Sequence, residues 1–221
     1  SGKYVLTQRH TTASGPIDAT AIGWLMDSER FVTCQNGGNI CMWNIKGELL
    51  KEFPLLNGYA IRMAMIPGEN AAVVVNSELE IEIVPFEGEE PPKLMDHLAE
   101  RPSGVTLSYD ASYLALAVKS DDDLCRPAQV VVYDFKARTF LRVLEADQHM
   151  NHDFVIMPAF CGPHGEMLCS GSENGKIHFW DVETGEVISM LDEHSKHSGW
   201  ATFHPTLPGM MATCSDDNHI L

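Results

Sequence analysis

The chain has 221 residues, 44% hydrophobic and 21% charged, a composition that supports a substantial core in a water-soluble globular protein. Its 31 acids against 15 bases give a formal net charge of −16, a field that repels phosphate backbones, excludes nucleic acid as a general ligand and favours basic partners. The longest apolar runs, AAVVV (71–75) and QVVVY (129–133), are strand-length; a membrane-spanning helix needs roughly 18–20 residues, so no membrane partner is expected.

Short β-branched and aromatic runs bounded by Gly, Asn, Asp and Pro predict strands along the whole chain. An isolated strand is expected over 4–10. A four-strand unit follows over 18–53, with strands at 18–25, 30–35, 39–45 and 48–53. A second unit spans 59–99, its last piece (92–99) reading either as a strand or as a short helix. A third covers 104–144, with the acidic insertion SDDDLCRP (120–127) lengthening its central hairpin. A fourth runs over 154–191, opening on FVIMPAF (154–160). Two strands, 199–205 and 210–216, begin a fifth unit that continues to 221. Trp24 and Trp200 fall on first strands and are expected in the core.

Six cysteines (Cys34, Cys41, Cys125, Cys161, Cys169 and Cys214) are scattered without a CxxC pair or a zinc-like Cys/His spacing. Several sit at strand positions, where a reduced thiol acts as a small apolar side chain. Cys34 and Cys41 flank one hairpin turn and are placed to face each other, but reduced thiols in an intracellular chain are the expectation. The first ten residues lack the segmentation of a signal peptide, and the expected compartment is the cytoplasm or the nucleus.

Three stretches end alike: NGGNICMWNIKGELL (36–50), PAQVVVYDFKARTFLRVL (127–144) and ENGKIHFWDVETGEVISML (173–191). Each joins a tight turn, an apolar strand closed by Trp43, Tyr133 or Trp180 with an Asn or Asp, a second turn and another strand. Tyr133 and Trp180 lie 47 residues apart, and Trp43 and Tyr133 lie 90 apart, which is two repeats of 45. A period of about 40–50 residues resembles the WD40 β-propeller. The resemblance implies an all-β fold and one propeller domain over 1–221, with four complete four-stranded blades and a partial one. Two closures fit: a five-bladed ring completed by the strand at 4–10, or the C-terminal part of a seven-bladed ring. The second is preferred, because an open wheel exposes long strand edges.

The WD40 resemblance also implies a buried polar set in each blade, made of a third-strand Trp, a second-strand Ser or Thr, a preceding His and a turn Asp. Trp180, Ser170 and His149 fill it in the fourth unit, with Asn174 where Asp is usual. His194, Thr213 and Asp217 fill it in the fifth. These residues are expected to pin the scaffold, since buried N–H and O–H groups need partners; they are not expected to be catalytic.

HMNHDFVIMPAFCG (149–162), MLCSGSENGKIHFWDVETGEVISMLDEH (167–194) and the closing SGWATFHPTLPGMMATCSDDNHI are similar to the WD-repeat subunit of the GID/CTLH ubiquitin-ligase complex. The likeness extends along nearly the whole chain. It departs at Gln148, where the family has Gly before the His, and at Asp153 and Met157, where it has basic residues. The helical LisH and CTLH segments of that family are expected upstream of this sequence. The resemblance implies an adaptor or substrate-recruiting role, with ligase subunits and substrates as partners.

Motifs for chemistry are weak. Gly171 to Lys176 resembles a phosphate loop, but its glycines are one residue too close and Ile177 stands where Ser or Thr holds magnesium. A hairpin turn with Gly175 at positive φ is the better reading. His149/His152 and His194/His197 have metal-like spacing without a third ligand, and no G-x-S-x-G elbow is present. No catalytic residue, metal or cofactor is therefore assigned. Loops on a rigid scaffold carry contacts, and the candidates are Asn57, Tyr59 and Arg62 before and within the second unit, Met150, His152 and Asp153 before the fourth, and Lys196 and His197 before the fifth. A WD40 scaffold of another assembly, and an enzyme with a site in the central channel, are the alternatives.

Overall fold

The computed structural model describes residues 11–12, 15–16, 19–35, 37–119, 127–162, 164–204, 207 and 209–221. The predicted strand at 4–10, most of the acidic insertion (120–126) and Cys125 lie outside them. The described residues contain no helix, and the strands form antiparallel meanders, the sheets of WD40 propeller blades. The chain divides into two compact units, residues 1–99 and 100–221.

In the first unit β1 (Thr11–Thr12) pairs with β2 (Gly15–Pro16). The first blade follows as β3 (Ala19–Trp24), β4 (Arg30–Gln35), β5 (Ile40–Asn44) and β6 (Leu49–Phe53). The second is β7 (Ala60–Met65), β8 (Ala71–Asn76), β9 (Glu80–Pro85) and β10 (Lys93–His97). Residues 92–99 thus contribute a strand rather than a helix; the segment pairs along β9 through a bulge between Leu94 and Asp96. The two blades bury one shared core, with Val32, Cys34, Ile40, Met42 and Phe53 against Ala60, Met63, Val74, Val84 and Phe86. At roughly 1.5–3 kcal/mol for each fully buried aliphatic or aromatic side chain, this layer dominates the favourable energy of the unit.

In the second unit the third blade is β11 (Pro102–Leu107), β12 (Tyr113–Val118), β13 (Gln129–Asp134) and β14 (Thr139–Glu145). The fourth is β15 (Ala159–Cys161), β16 (Met167–Gly171), β17 (Ile177–Asp181) and β18 (Val187–Leu191). A last sheet pairs β19 (Ser198–Phe203) with β20 (Met211–Ser215), and Ile220 bridges Cys214 as the start of a third strand. Val130, Val132 and Leu144 pack on Phe160, Leu168 and Trp180 between the third and fourth blades. On its opposite face the fourth blade sets Cys169 and Ile177 against Ala201.

Three expectations are corrected. Trp24 and Trp200 are 57% and 51% exposed. Strand alternation sends each to the outer side, because its neighbour already takes the inner one. A Cβ on Gly23 would lie 2.2 Å from Met65 Cγ, and Ala201 packs into the core. The first strand of the fourth blade is only Ala159–Cys161, since 152–157 is held as a loop. Cys34 pairs with Ile40 while Cys41 pairs with Thr33, so the two thiols sit off register on adjacent strands and are free.

Candidate functional site

In the second unit, the loop that opens the fourth blade meets the loop that precedes β19. The Phe154 ring stacks on His197 at a centroid distance of 4.4 Å and an interplanar angle of 22°. Beside that stack, Met157 N donates to Gly199 O at 2.9 Å and Met157 bridges Trp200 in parallel. His197 is largely buried; Asp216 Oδ2 lies 3.6 Å from its Nδ1, and neither ring nitrogen has a hydrogen-bond partner among the described residues.

Glu173, in the turn after β16, shapes the first of these loops. Its Oε1 accepts the backbone N–H groups of His152, Asp153 and Phe154 at 2.6, 2.7 and 3.0 Å. Burial pushes its carboxyl up, but those three donors outweigh it and hold the pKa below the usual value. Lys119 Nζ donates to Asp153 O at 2.6 Å, and Ser172 Oγ accepts from Met150 N at 2.9 Å. Asn151, fully buried between them, reaches Ser103 Oγ at 2.8 Å. The loop is therefore a fixed platform that exposes Met150, Phe154 and Val155.

Met150, His152, Asp153 and His197, which the sequence singles out, all lie on or beside this platform. Lys196 is exposed next to it, its carbonyl taken by Ser215 Oγ at 3.0 Å. Asn57, Tyr59 and Arg62 belong to the first unit. Tyr59 is exposed, but Asn57 turns its amide to Glu80 at 3.0 Å and Arg62 Nη1 donates to Ile61 O at 2.7 Å. Phe154, Glu173 and Asn151 are not singled out as contact residues by the sequence, because their partners are distant in it.

The polar sets beneath the loops differ from blade to blade. In the first, Trp43 Nε1 donates to Thr33 Oγ1 at 3.0 Å. In the fourth, Trp180 Nε1 donates to Glu145 O at 2.9 Å. The Ser170 hydroxyl lies 3.2 Å from His149 Nε2 and 3.1 Å from Gly171 O, so it is already engaged. His149 Nδ1 lies 2.9 Å from Ala128 O and Nε2 lies 3.0 Å from Gly171 O. With Nδ1–H donating to Ala128, the Ser170 hydroxyl is free to serve Nε2 or the Gly171 carbonyl. Burial lowers the His149 pKa and keeps this ring neutral. Asn174 donates to Gln148 O at 2.7 Å, one residue short of the histidine. Tyr133, in the third blade, meets Phe140 edge-on at 6.1 Å.

The last sheet carries a continuous chain of bonds. Asp217 Oδ2 accepts from His194 Nδ1 at 3.0 Å, and His194 Nε2 accepts from Thr213 Oγ1 at 2.9 Å. Acid, imidazole and hydroxyl in this order have the form of a nucleophile triad, but Thr213 and His194 are both buried and the chain is closed to a substrate. Gly171 to Lys176 forms the β16–β17 hairpin, where Gly175 adopts φ +87°. A Cβ there would lie 2.3 Å from His194 O. No cluster of three or more His, Cys, Asp or Glu side chains suited to a metal occurs among the described residues. Burial pushes the Cys169 thiol up to about 12 and that of Cys41 to about 11, so neither is a thiolate near neutral pH.

The second blade replaces histidine with carboxylates. Asn76 Nδ2 donates to Glu80 Oε2 at 2.7 Å and Glu82 Oε1 at 2.6 Å, and Glu82 Oε2 accepts from Leu56 N at 2.9 Å. All three side chains are buried. The amides of Asn76 and Asn57 hold the Glu80 carboxyl below its usual pKa.

Residues 159–181, which run from the start of β15 to the end of β17, match the family model "WD domain, G-beta repeat". The chain is similar to GID complex subunit 7 of Schizosaccharomyces pombe, 26% identical over 89% of this chain and 38% of that protein. It is 23% identical to the WD repeat-containing protein WDS homolog of Arabidopsis thaliana over 96% of this chain and 40% of that one. A WD repeat-containing protein 26 homolog of Drosophila melanogaster is 23% identical over 90% of this chain and 30% of its own length. The chain thus spans two fifths or less of these relatives. The matched repeat, set among sheets of the same four-strand order, makes this chain similar to WD40-repeat proteins.

Proposed function

We propose that the protein is a non-catalytic interaction scaffold that serves as an adaptor or substrate-recruiting subunit of a multi-subunit ubiquitin ligase of the GID/CTLH type. The observation that carries this reading is the similarity to GID complex subunit 7 along 89% of the chain. The platform of Met150, Phe154 and Val155 beside Lys196 is its contact surface, held in shape before any partner arrives, which lowers the entropy cost of docking. The departures from the family at Asp153 and Met157 remove positive charge from this surface. Affinity purification of the protein tests the proposal. Recovery of other ligase subunits, reduced by Phe154→Ala, is the expected result, and recovery of an unrelated assembly overturns it. The second reading, a WD40 scaffold in another assembly, draws on the Arabidopsis and Drosophila relatives, whose names mention WD repeats and no complex.

A further inference from the structure

Among the described residues each complete blade ends in an outer strand paired on one side: β6 (LLKEF), β10 (KLMDH), β14 (TFLRVLE) and β18 (VISML). An unpaired strand edge is a template for another strand, and charged side chains on it are the usual protection. Lys51 and Glu52 protect β6, Lys93 and Asp96 protect β10, and Arg142 and Glu145 protect β14. β18 has no charged residue. Val187, Ile188, Met190 and Leu191 are 49%, 50%, 42% and 37% exposed, so both its faces are open as well as its edge. A bulge interrupts all four outer strands and does not set β18 apart.

We propose that β18 is a strand-docking edge whose occupant is an extended segment of a partner protein, alternately apolar and flanked by Lys or Arg. Backbone hydrogen bonds supply the affinity in this mode, and the flanks supply the selection. Exposed acids bracket the strand, Glu183 and Glu186 before it and Asp192 and Glu193 after it. Lys176 Nζ, 3.6 Å from Asp192 Oδ2, offsets part of that charge at one end only. A second copy of the chain is a poor occupant. Antiparallel self-pairing centred on Ser189 sets Glu186 of each copy against Asp192 of the other, and in-register parallel pairing sets Asp192 beside Asp192. Like charges directly opposite are destabilising, and a basic flank turns the same contacts into attractions. This inference does not rest on the ligase reading, and loss of that reading leaves it standing.

The test uses the full 221-residue chain and a fluorescein-labelled peptide, Lys-Lys-Val-Thr-Val-Thr-Val-Lys-Lys, followed by anisotropy. Two further peptides carry Glu in place of Lys, or Pro in place of the central Val. Saturable binding of the Lys-flanked peptide is expected, with both analogues weaker by about tenfold or more, since Pro cannot donate to a ladder. Met190→Lys should weaken binding about tenfold, while Leu50→Lys on β6 should leave it within about twofold. If Met190→Lys lowers the melting temperature, Ile188→Lys takes its place with the same expectation. Absence of saturable binding, equal binding of the Pro peptide, or indifference to the β18 variants overturns the proposal. Light scattering that shows a dimer lost in Met190→Lys overturns the choice of occupant.

Discussion

Phe154 and His197 lie ring on ring at 4.4 Å and so tie the loop that opens the fourth blade to the loop before β19. An aromatic pair of this kind contributes about 0.5–1.5 kcal/mol beyond its buried area. Its loss should therefore loosen the platform without unfolding the unit. Phe154→Ala is expected to speed amide exchange over residues 152–157 by roughly tenfold while exchange in β16 and β17 stays unchanged. Unaltered exchange in the loop would show that the hydrogen bonds of Glu173, Lys119 and Ser172 hold it without the stack.

The stability of the fourth blade should depend on mild acid. His178 is buried between His149 and Trp180, at ring distances of 5.2 and 5.8 Å, and its Nε2 has no hydrogen-bond partner among the described residues. Burial, then repulsion from His149 when that ring also takes up a proton, then the charge of Lys176, lower its pKa from 6.5 to about 4. The unfolded chain takes up the proton first, so stability is complete above about pH 6.5 and declines as pH falls toward 4. The loss from this group is on the order of 3 kcal/mol. His149, whose pKa burial also lowers, titrates in the same direction. Urea unfolding at pH 7 and pH 4.5 should show His178→Gln with a clearly smaller acid loss than the parent; equal losses refute the assignment.

Asp217 titrates in a lower window. Burial raises its pKa, but the His219 N–H, the His194 ring and the Ser195 N–H hold it at about 2. The folded value lies below the unfolded 3.8, so its contribution is present above about pH 4 and lost as pH falls through 2. Asp217→Asn should lower the melting temperature at pH 7 and match the parent near pH 2. Thr213→Val, which leaves His194 Nε2 without its donor, should cost about 1–3 kcal/mol at neutral pH in denaturant unfolding.

Asn76 is the most sensitive residue of the second blade. Its amide is the shared donor to Glu80 and Glu82, and replacement by Ala leaves Glu80 to the Asn57 amide and Glu82 to the Leu56 N–H. Asn76→Ala is expected to destabilise by roughly 1–3 kcal/mol, and adding Glu82→Leu should restore part of that, because it removes a buried carboxyl left with a single donor. A double variant no more stable than Asn76→Ala would refute the shared-donor account.

Strand positions were legible because side-chain alternation and turn residues are local. The runs ending in Trp43, Tyr133 and Trp180 fall on β5, β13 and β17 as their periodicity requires. What failed was the side of the sheet: Trp24 and Trp200 are apolar in sequence, but the small neighbours Gly23 and Ala201 decide which face packs. The acceptor of the Trp180 indole was not legible for a similar reason. Nothing in the residues around Trp180 indicates that Glu145 O comes nearer than Ser170 Oγ, since that contact depends on how the third blade lies against the fourth. Met150, His152, Asp153 and His197 could be proposed from loop position alone, but Glu173 could not, because its role is to accept N–H groups some twenty residues away.

Repeated modules in one chain share strand lengths and apolar faces, so a folding intermediate can pair the wrong neighbours and become trapped. The polar groups under these blades are not interchangeable. A strand seeking Thr33 for an indole gains nothing from Ser170, which is engaged with His149 and Gly171, and the Glu80/Glu82 pair needs an asparagine amide, whereas the Asn174 amide of the fourth blade is already given to Gln148 O. A mispaired blade would bury an unsatisfied carboxylate or imidazole. The divergence of the pins thus acts as an address code, giving each repeat a single acceptable place in the array.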